Sequence, residues 1–244
     1  MKSAKLLTCA LPSLLAVSAH AEEGGFIQWS SSNIQVLRGS QFEVGPEERT
    51  IVTLEHANSW KYGDFFAFAD LIWPDEGDAT QYAEFSPRFS LSKMTGQEFK
   101  AGPIKDLSVS TTIETPKDRK ARFLYGLGVD FDVPGFAYFK TNFYVRDDPA
   151  LDDSTWQATL VWKKPFNIGN TKWVTEGFAD FSGAEGTSAA NQFIVPRVLM
   201  DVGAASGGAK DTFFVGVEYS YWRNKFGIDG VTESNPQLQA KLVF

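Results

Sequence analysis

The chain has 244 residues, with 23 lysines and arginines against 30 aspartates and glutamates, a formal net charge of −7. That balance argues against a nucleic-acid partner, which wants a basic face. Past the N-terminal leader there is no cysteine, which excludes disulfides, thiolate catalysis and cysteine metal sites, and no window of 18 uncharged apolar residues, which excludes a membrane-spanning helix.

The chain opens with Lys2 and Lys5, continues through an apolar run from Leu6 to Val17, and closes that run with Ala19-His20-Ala21. This is the order of a secretory signal: charged n-region, apolar h-region, small-residue cleavage site. The run falls short of the roughly 20 residues that a bilayer span needs. Residues 1–21 are therefore read as a signal peptide, residues 22–244 as one mature domain starting at Glu22. Cys9 and His20 leave with the leader, so His56 is the only remaining histidine.

Beyond the leader the pattern has a period of two. Ile34, Val36 and Leu37 suggest a first strand, Ile51 to His56 a second and Phe65 to Ile72 a third. From Gln81 to Lys93 one parity holds Ala83, Phe85, Pro87, Phe89 and Leu91, and the other Tyr82, Glu84, Ser86, Arg88 and Ser90. Alternation of that length puts the two sets on opposite faces of one strand. The same pattern returns over Leu107–Glu114, Arg122–Phe131, Phe136–Arg146, Trp156–Lys163, Lys172–Phe181, Ile194–Asp201, Phe213–Trp222 and Gln237–Phe244. Soluble strands run about 5–6 residues, whereas membrane-barrel strands need about 9–11.

The expected fold is thus all-β, a transmembrane antiparallel up-and-down barrel of about twelve strands, a closed sheet being the only non-helical way to satisfy every backbone group in lipid. Soluble sandwiches and lipocalin-like barrels also alternate, but place the apolar face inside. Strand length, the leader and the terminal Phe244 favour the membrane reading. Trp156, Trp162, Trp173, Tyr219 and Tyr221 stand near the ends of the apolar parity, as interface girdles do. Polar stretches at Pro74–Ala79, Asp147–Asp153, Gly183–Asn191 and Asn224–Asn235 fit external loops. The turn signals at 44–46, 95–97, 116–118, 133–135, 167–170 and 206–208 fit shorter connections, and short ones belong on the periplasmic side.

Four runs carry a resemblance: Asp64-Phe-Phe-Ala-Phe-Ala-Asp70, Ser86-Pro-Arg-Phe-Ser-Leu-Ser-Lys-Met-Thr95, Gly102-Pro-Ile-Lys105 and Tyr125-Gly-Leu-Gly-Val-Asp130. In that order and spacing the chain resembles the nucleoside-specific channel family of the outer membrane (Tsx/OmpK). The resemblance implies a monomeric twelve-stranded barrel whose narrow lumen binds nucleosides in passing, aromatics on the base and ionisable groups on the sugar. Members also serve as phage or colicin receptors. The likeness is densest in the first half of the mature chain.

If the polar parity faces inward, the candidate solute-binding residues are Glu55, Phe66, Phe68, Asp70, Tyr82, Glu84, Arg88, Tyr138, Lys140, Tyr144, Arg146, Glu176, Phe178, Asp180, Arg197, Glu218 and Trp222, with Asp64, Phe136 and Asp201 on the same face. Stacking a base on an aromatic ring contributes about 1–3 kcal/mol, and charged groups bind hydroxyls strongly. Conduction favours several modest sites in series. The competing structural use of the same charges is ion pairing within a narrow barrel.

The resulting expectation is passive diffusion of nucleosides or similar small solutes, in contact with outer-membrane lipid and with no cofactor. The alternative is a surface receptor or structural barrel with a plugged lumen. Catalysis is not expected. His56 adjoins Glu55 on a strand, so the two side chains point to opposite faces, and His56 would face lipid or the interface. Asp147, Asp148, Asp152 and Asp153 read as a solvated acidic loop rather than a cation site.

Overall fold

The computed structural model describes residues 25–117 and 119–244. The signal peptide expected at residues 1–21, with Cys9, His20 and the proposed new terminus at Glu22, lies outside the described residues.

Twelve strands form one closed antiparallel barrel: β1 (Ile27–Gly39), β2 (Arg49–Trp60), β3 (Gly63–Pro74), β4 (Thr80–Ser90), β5 (Ile104–Pro116), β6 (Arg122–Phe131), β7 (Tyr138–Asp147), β8 (Thr155–Ile168), β9 (Thr171–Ser182), β10 (Asn191–Asp201), β11 (Phe213–Arg223) and β12 (Thr232–Val243). Each strand pairs with its chain neighbours, and β12 closes on β1 with Gln35 opposite Lys241 and Leu37 opposite Gln239. No sheet edge is left open, which is what the hydrocarbon layer demands. The strands are 10 to 14 residues long. Eleven residues at about 3.3 Å each, tilted about 40°, rise roughly 28 Å, enough for the apolar band of a membrane barrel.

Which parity faces in is decided by ion pairs between strands that are not neighbours. Arg197 on β10 reaches Glu55 on β2 at 3.2 Å, and Lys140 on β7 reaches Asp64 on β3 at 3.1 Å. Four strand positions separate each pair around the wall, so these contacts cross the interior. The charged parity is therefore internal. The opposite parity leaves large apolar side chains uncovered, with Leu238 71%, Leu127 62% and Phe143 55% exposed. On a soluble protein such a belt is an aggregation hazard; here it is the lipid-facing surface.

The two rims differ. β1 begins and β12 ends at one rim, here the terminal rim; the other is the distal rim. Every stretch expected to form a longer loop lies at the distal rim, in connections 75–79, 148–154, 183–190 and 224–231. The turn signals at 44–46 and 116–118 also fall there, in connections 40–48 and 117–121, contrary to the expectation that the shorter connections gather at the other side. The terminal rim holds two-residue turns at 61–62 and 169–170, but also the longest connections, 91–103 and 202–212. These fold around short helices α1 (Leu91–Thr95) and α2 (Val202–Ala205).

Ser90 caps α1 through Lys93 N–H at 3.1 Å, so the fourth strand stops there and does not run on to Lys93 as the alternation suggested. Asp201 caps α2, accepting from Ala204 N–H at 2.8 Å and Asp211 N–H at 2.9 Å, which gives this inward acid a structural use. Phe136 precedes β7 in a turn. It packs edge-on against outward-facing Phe139 at 5.4 Å, under Lys164, and is not a lumen residue.

Candidate functional site: the barrel lumen

All seventeen candidate residues stand on the inward parity. Near the terminal rim Arg88 binds Asp64 at 3.1 Å and Asp130 at 2.5 Å, while Lys140 binds Asp64 from across the interior. Gly128 makes room for this: a Cβ there would lie 2.6 Å from Arg88 Nη2 and 2.4 Å from Ser108 Oγ. At mid-height Arg197 joins Glu55 and Glu218, and Lys241 joins Glu176 at 2.5 Å. Toward the distal rim Arg146 grips Glu114 with two nitrogens, at 2.7 and 3.1 Å, and Arg122 binds Glu114 and Asp148. Such two-pronged pairs are strong and geometrically exacting. Seven of the candidates, Glu55, Arg88, Lys140, Arg146, Glu176, Arg197 and Glu218, are thus committed to pairing. Tyr144 is too: its hydroxyl lies 2.9 Å from Ser110 Oγ, within the wall.

Three candidate acids differ. Among the described residues Asp70, Glu84 and Asp180 have no salt-bridge partner. Each accepts from one hydroxyl: Thr53 at 2.6 Å, Tyr82 at 2.5 Å and Thr159 at 2.5 Å. Each has further lone pairs beyond the one so used.

The remaining candidates are aromatic; Tyr138 stands alone on β7, and the other five fall on two walls. On β3 and β4, Phe66, Phe68 and Tyr82 form a ladder with centroids 5.9 Å apart at each step. On β9, β10 and β11, Phe178, Phe193 and Trp222 form a second, with steps of 5.2 and 4.1 Å. β3 and β9 are six positions apart in a ring of twelve, so the ladders face each other. Phe66 and Tyr138 are each 37% exposed. The β9–β11 wall is more covered. Below its ladder, Val174, Leu199 and Phe214 form an apolar cluster at the terminal rim, and above it Phe226 meets Trp222 edge-on at 4.6 Å.

Besides Phe193, Glu114 and Asp130, lumen residues that were not among the candidates, two features escaped the sequence reading. The inward row of β12, Glu233, Asn235, Gln237, Gln239 and Lys241, is entirely buried. Parity had placed Gln237, Gln239 and Lys241 opposite the apolar set, so the signal existed but was not followed into the lumen. Phe42 lies in connection 40–48, where no periodicity could mark it, and is 6% exposed. Arg49 covers its ring at 4.4 Å and Lys225 at 5.4 Å.

The distal acids are not simply a solvated loop. Asp148 is buried against Arg122, and its N–H donates to Glu185 at 2.7 Å. Burial pushes the Glu185 carboxyl above its ordinary range, while that N–H and Arg146 pull it back. His56 lies outside the barrel, as its parity implied, 2.9 Å from Ser32 Oγ and 3.2 Å from Asn58 Nδ2.

Three comparisons bear on this geometry. Residues 25–241 match the family model described as nucleoside-specific channel-forming protein, Tsx. Two outer membrane proteins OmpK of Vibrio parahaemolyticus are similar. One is 32% identical over 108 residues, covering 43% of this chain and 41% of the relative. The other, from serotype O3:K6, is 28% identical over 186 residues, covering 68% of this chain and 65% of the relative. The chain thus spans less than two thirds of either relative's length. Among solved structures, a KdgM porin superposes with a TM-score of 0.52 over 88% of this chain and 99% of its own, at 8% identity, a likeness of fold alone. An internal face of paired charges, aromatic walls and a family match across nearly the whole barrel lead to one placement: the chain belongs to the family described as nucleoside-specific channel-forming protein, Tsx.

Proposed function

We propose that the barrel is a passive diffusion channel for nucleosides, and that its lumen residues act as weak binding sites in series. One juxtaposition carries the reading. On the β3–β4 wall a ladder of three rings ends at Tyr82, beside Glu84, a carboxylate with no cation partner among the described residues. A nucleoside needs that pairing: a π-face for the base and a strong acceptor for ribose hydroxyls. Asp70 and Asp180 extend the acceptors along the path. Contacts worth a few kcal/mol hold a solute without trapping it. No energy coupling or cofactor is required, and the barrel acts as a monomer in outer-membrane lipid.

In planar bilayers the mature protein should give small conductance steps that nucleosides block in a concentration-dependent way. Steps indifferent to nucleosides would reject the substrate assignment and leave a general channel.

The ion pairs that cross the interior favour a second reading, a lumen closed to solutes in a barrel that serves as a surface receptor for phage or colicin. Shortening connections 148–154 and 183–190 would then abolish adsorption with no change in solute uptake.

A further inference from the structure

At the distal mouth the structure assigns a masked binding site, in which the ring of Phe42 occupies the place of a flat, uncharged solute ring. The assignment rests on the nucleoside reading for its probe and on separate residues for its evidence.

The site is built from amides. Gln239 Nε2 donates to Gln35 Oε1, Gln35 Nε2 to Asn33 Oδ1 at 2.8 Å, and Gln237 Nε2 to Glu218 Oε1 at 3.2 Å. Those bonds use the donors and leave acceptors over. Among the described residues, Gln237 Oε1, Gln239 Oε1 and both polar atoms of Asn235 have no hydrogen-bond partner, and Asn235 is 0% exposed. The Trp222 indole N–H, one strand over, is also unpartnered. Buried polar atoms are normally paired, because an unmet one bears its full desolvation cost. Several in one row mark a surface made to meet something else.

What stands against the distal part of the row, at Asn235 and Gln237, is Phe42. Gly39, an inward residue without a side chain, gives it space: a Cβ there would stand 3.0 Å from the Phe42 ring, 2.9 Å from Asn235 Nδ2 and 2.9 Å from Gln237 Cγ. The ring can offer the amides no hydrogen bond. Its hold comes from the other side, from Arg49 and Lys225 over its face and from the Glu43 N–H donating to Glu233 at 3.1 Å. Glu233 also binds Lys225. A flat heterocycle bearing N–H groups and a carbonyl would keep the stacking and supply partners for Asn235 and Gln237. The chemistry selected is thus an uncharged ring with an amide-like edge. Lys225 is paired with Glu233, and Arg49 is held by the backbone carbonyls of Pro46 and Val44, so an uncharged ring suits the place better than an ion.

The test uses thiol labelling. Cys9 is the chain's only cysteine. In a Cys9→Ser background, Asn235→Cys is introduced with Phe42 intact, with Phe42→Ala and with Phe42→Trp. Each variant is reconstituted in liposomes, with its β-sheet content verified by circular dichroism. A small methanethiosulfonate reagent should label position 235 at least tenfold faster with Phe42→Ala than with Phe42 or Phe42→Trp. Uracil and uridine should then slow labelling of the Phe42→Ala variant severalfold, and ribose should not. Equal labelling rates in all three backgrounds would overturn the mask. Rapid labelling that uracil does not slow would overturn the ligand site. Protection by ribose equal to that by uracil would overturn the ring. Protection by uracil in a channel whose conductance nucleosides never block would reject the transport proposal and leave the masked site standing.

Discussion

The two aromatic walls of the lumen share a composition and differ in what surrounds them. The β3–β4 ladder runs past carboxylates without cations, and its Phe66 is open to the interior. The β9–β11 ladder sits between an apolar cluster at the terminal rim and the Phe42–Lys225–Glu233 assembly at the distal one. The difference teaches that ring content does not make a binding wall. If the barrel passes solutes as proposed, access and the nearest unpaired polar atoms decide which rings a solute meets, and those follow from how connections fold back over the mouth. On this view the first wall works as it stands, and the second works once its cover moves.

Four measurements bear on that contrast. The largest expected effect is on stability: Arg197→Leu removes the cation that serves both Glu55 and Glu218, and uncompensated buried charge costs about 3–5 kcal/mol. Thermal unfolding in detergent should shift sharply downward, and an unchanged transition would mean that water already screens the mid-height layer.

Next comes the asymmetry itself. Phe66→Ala combined with Phe68→Ala should weaken nucleoside block roughly tenfold or more, the loss of about 1–3 kcal/mol of stacking per base. Phe178→Ala should do much less while Phe42 is in place. Equal effects on the two walls would end the comparison.

A smaller change is expected for ion selectivity. Glu84→Gln with Asp180→Asn removes two internal carboxyl groups that have no salt-bridge partner among the described residues. The reversal potential in a potassium chloride gradient should move toward that of an unselective pore. A fixed reversal potential would place these acids off the ion path.

The smallest effect belongs to His56→Ala, on the lipid side with only Ser32 and Asn58 as hydrogen-bond partners. Stability should change by less than about 0.5 kcal/mol and conductance not at all. A lost function would restore His56 as a chemical group.

Much of this was legible in the chain. Alternation is a local property, since successive side chains of a strand point to opposite faces, so Tyr82, Glu84 and Arg88 were bound to share one side wherever the strand lay. Strand ends were less legible. A serine can continue a strand or cap a helix, and Ser90 does the second because Lys93 N–H is there to be met. Phe42 gave no sign at all, for a loop has no period. The resemblance to a channel family named the nucleoside, which no spacing of residues could.

By itself the sequence determined that twelve alternating segments exist and which residues share a face, because backbone geometry fixes that within each strand. Closure decided the rest. Only when β12 pairs with β1 do Arg197 and Glu55, 142 positions apart in the chain, meet across the interior. Only then does an inward acid become either a paired structural charge or, as at Asp70, Glu84 and Asp180, one left facing the path. Those distances are set by the ring of strands and not by any stretch of chain.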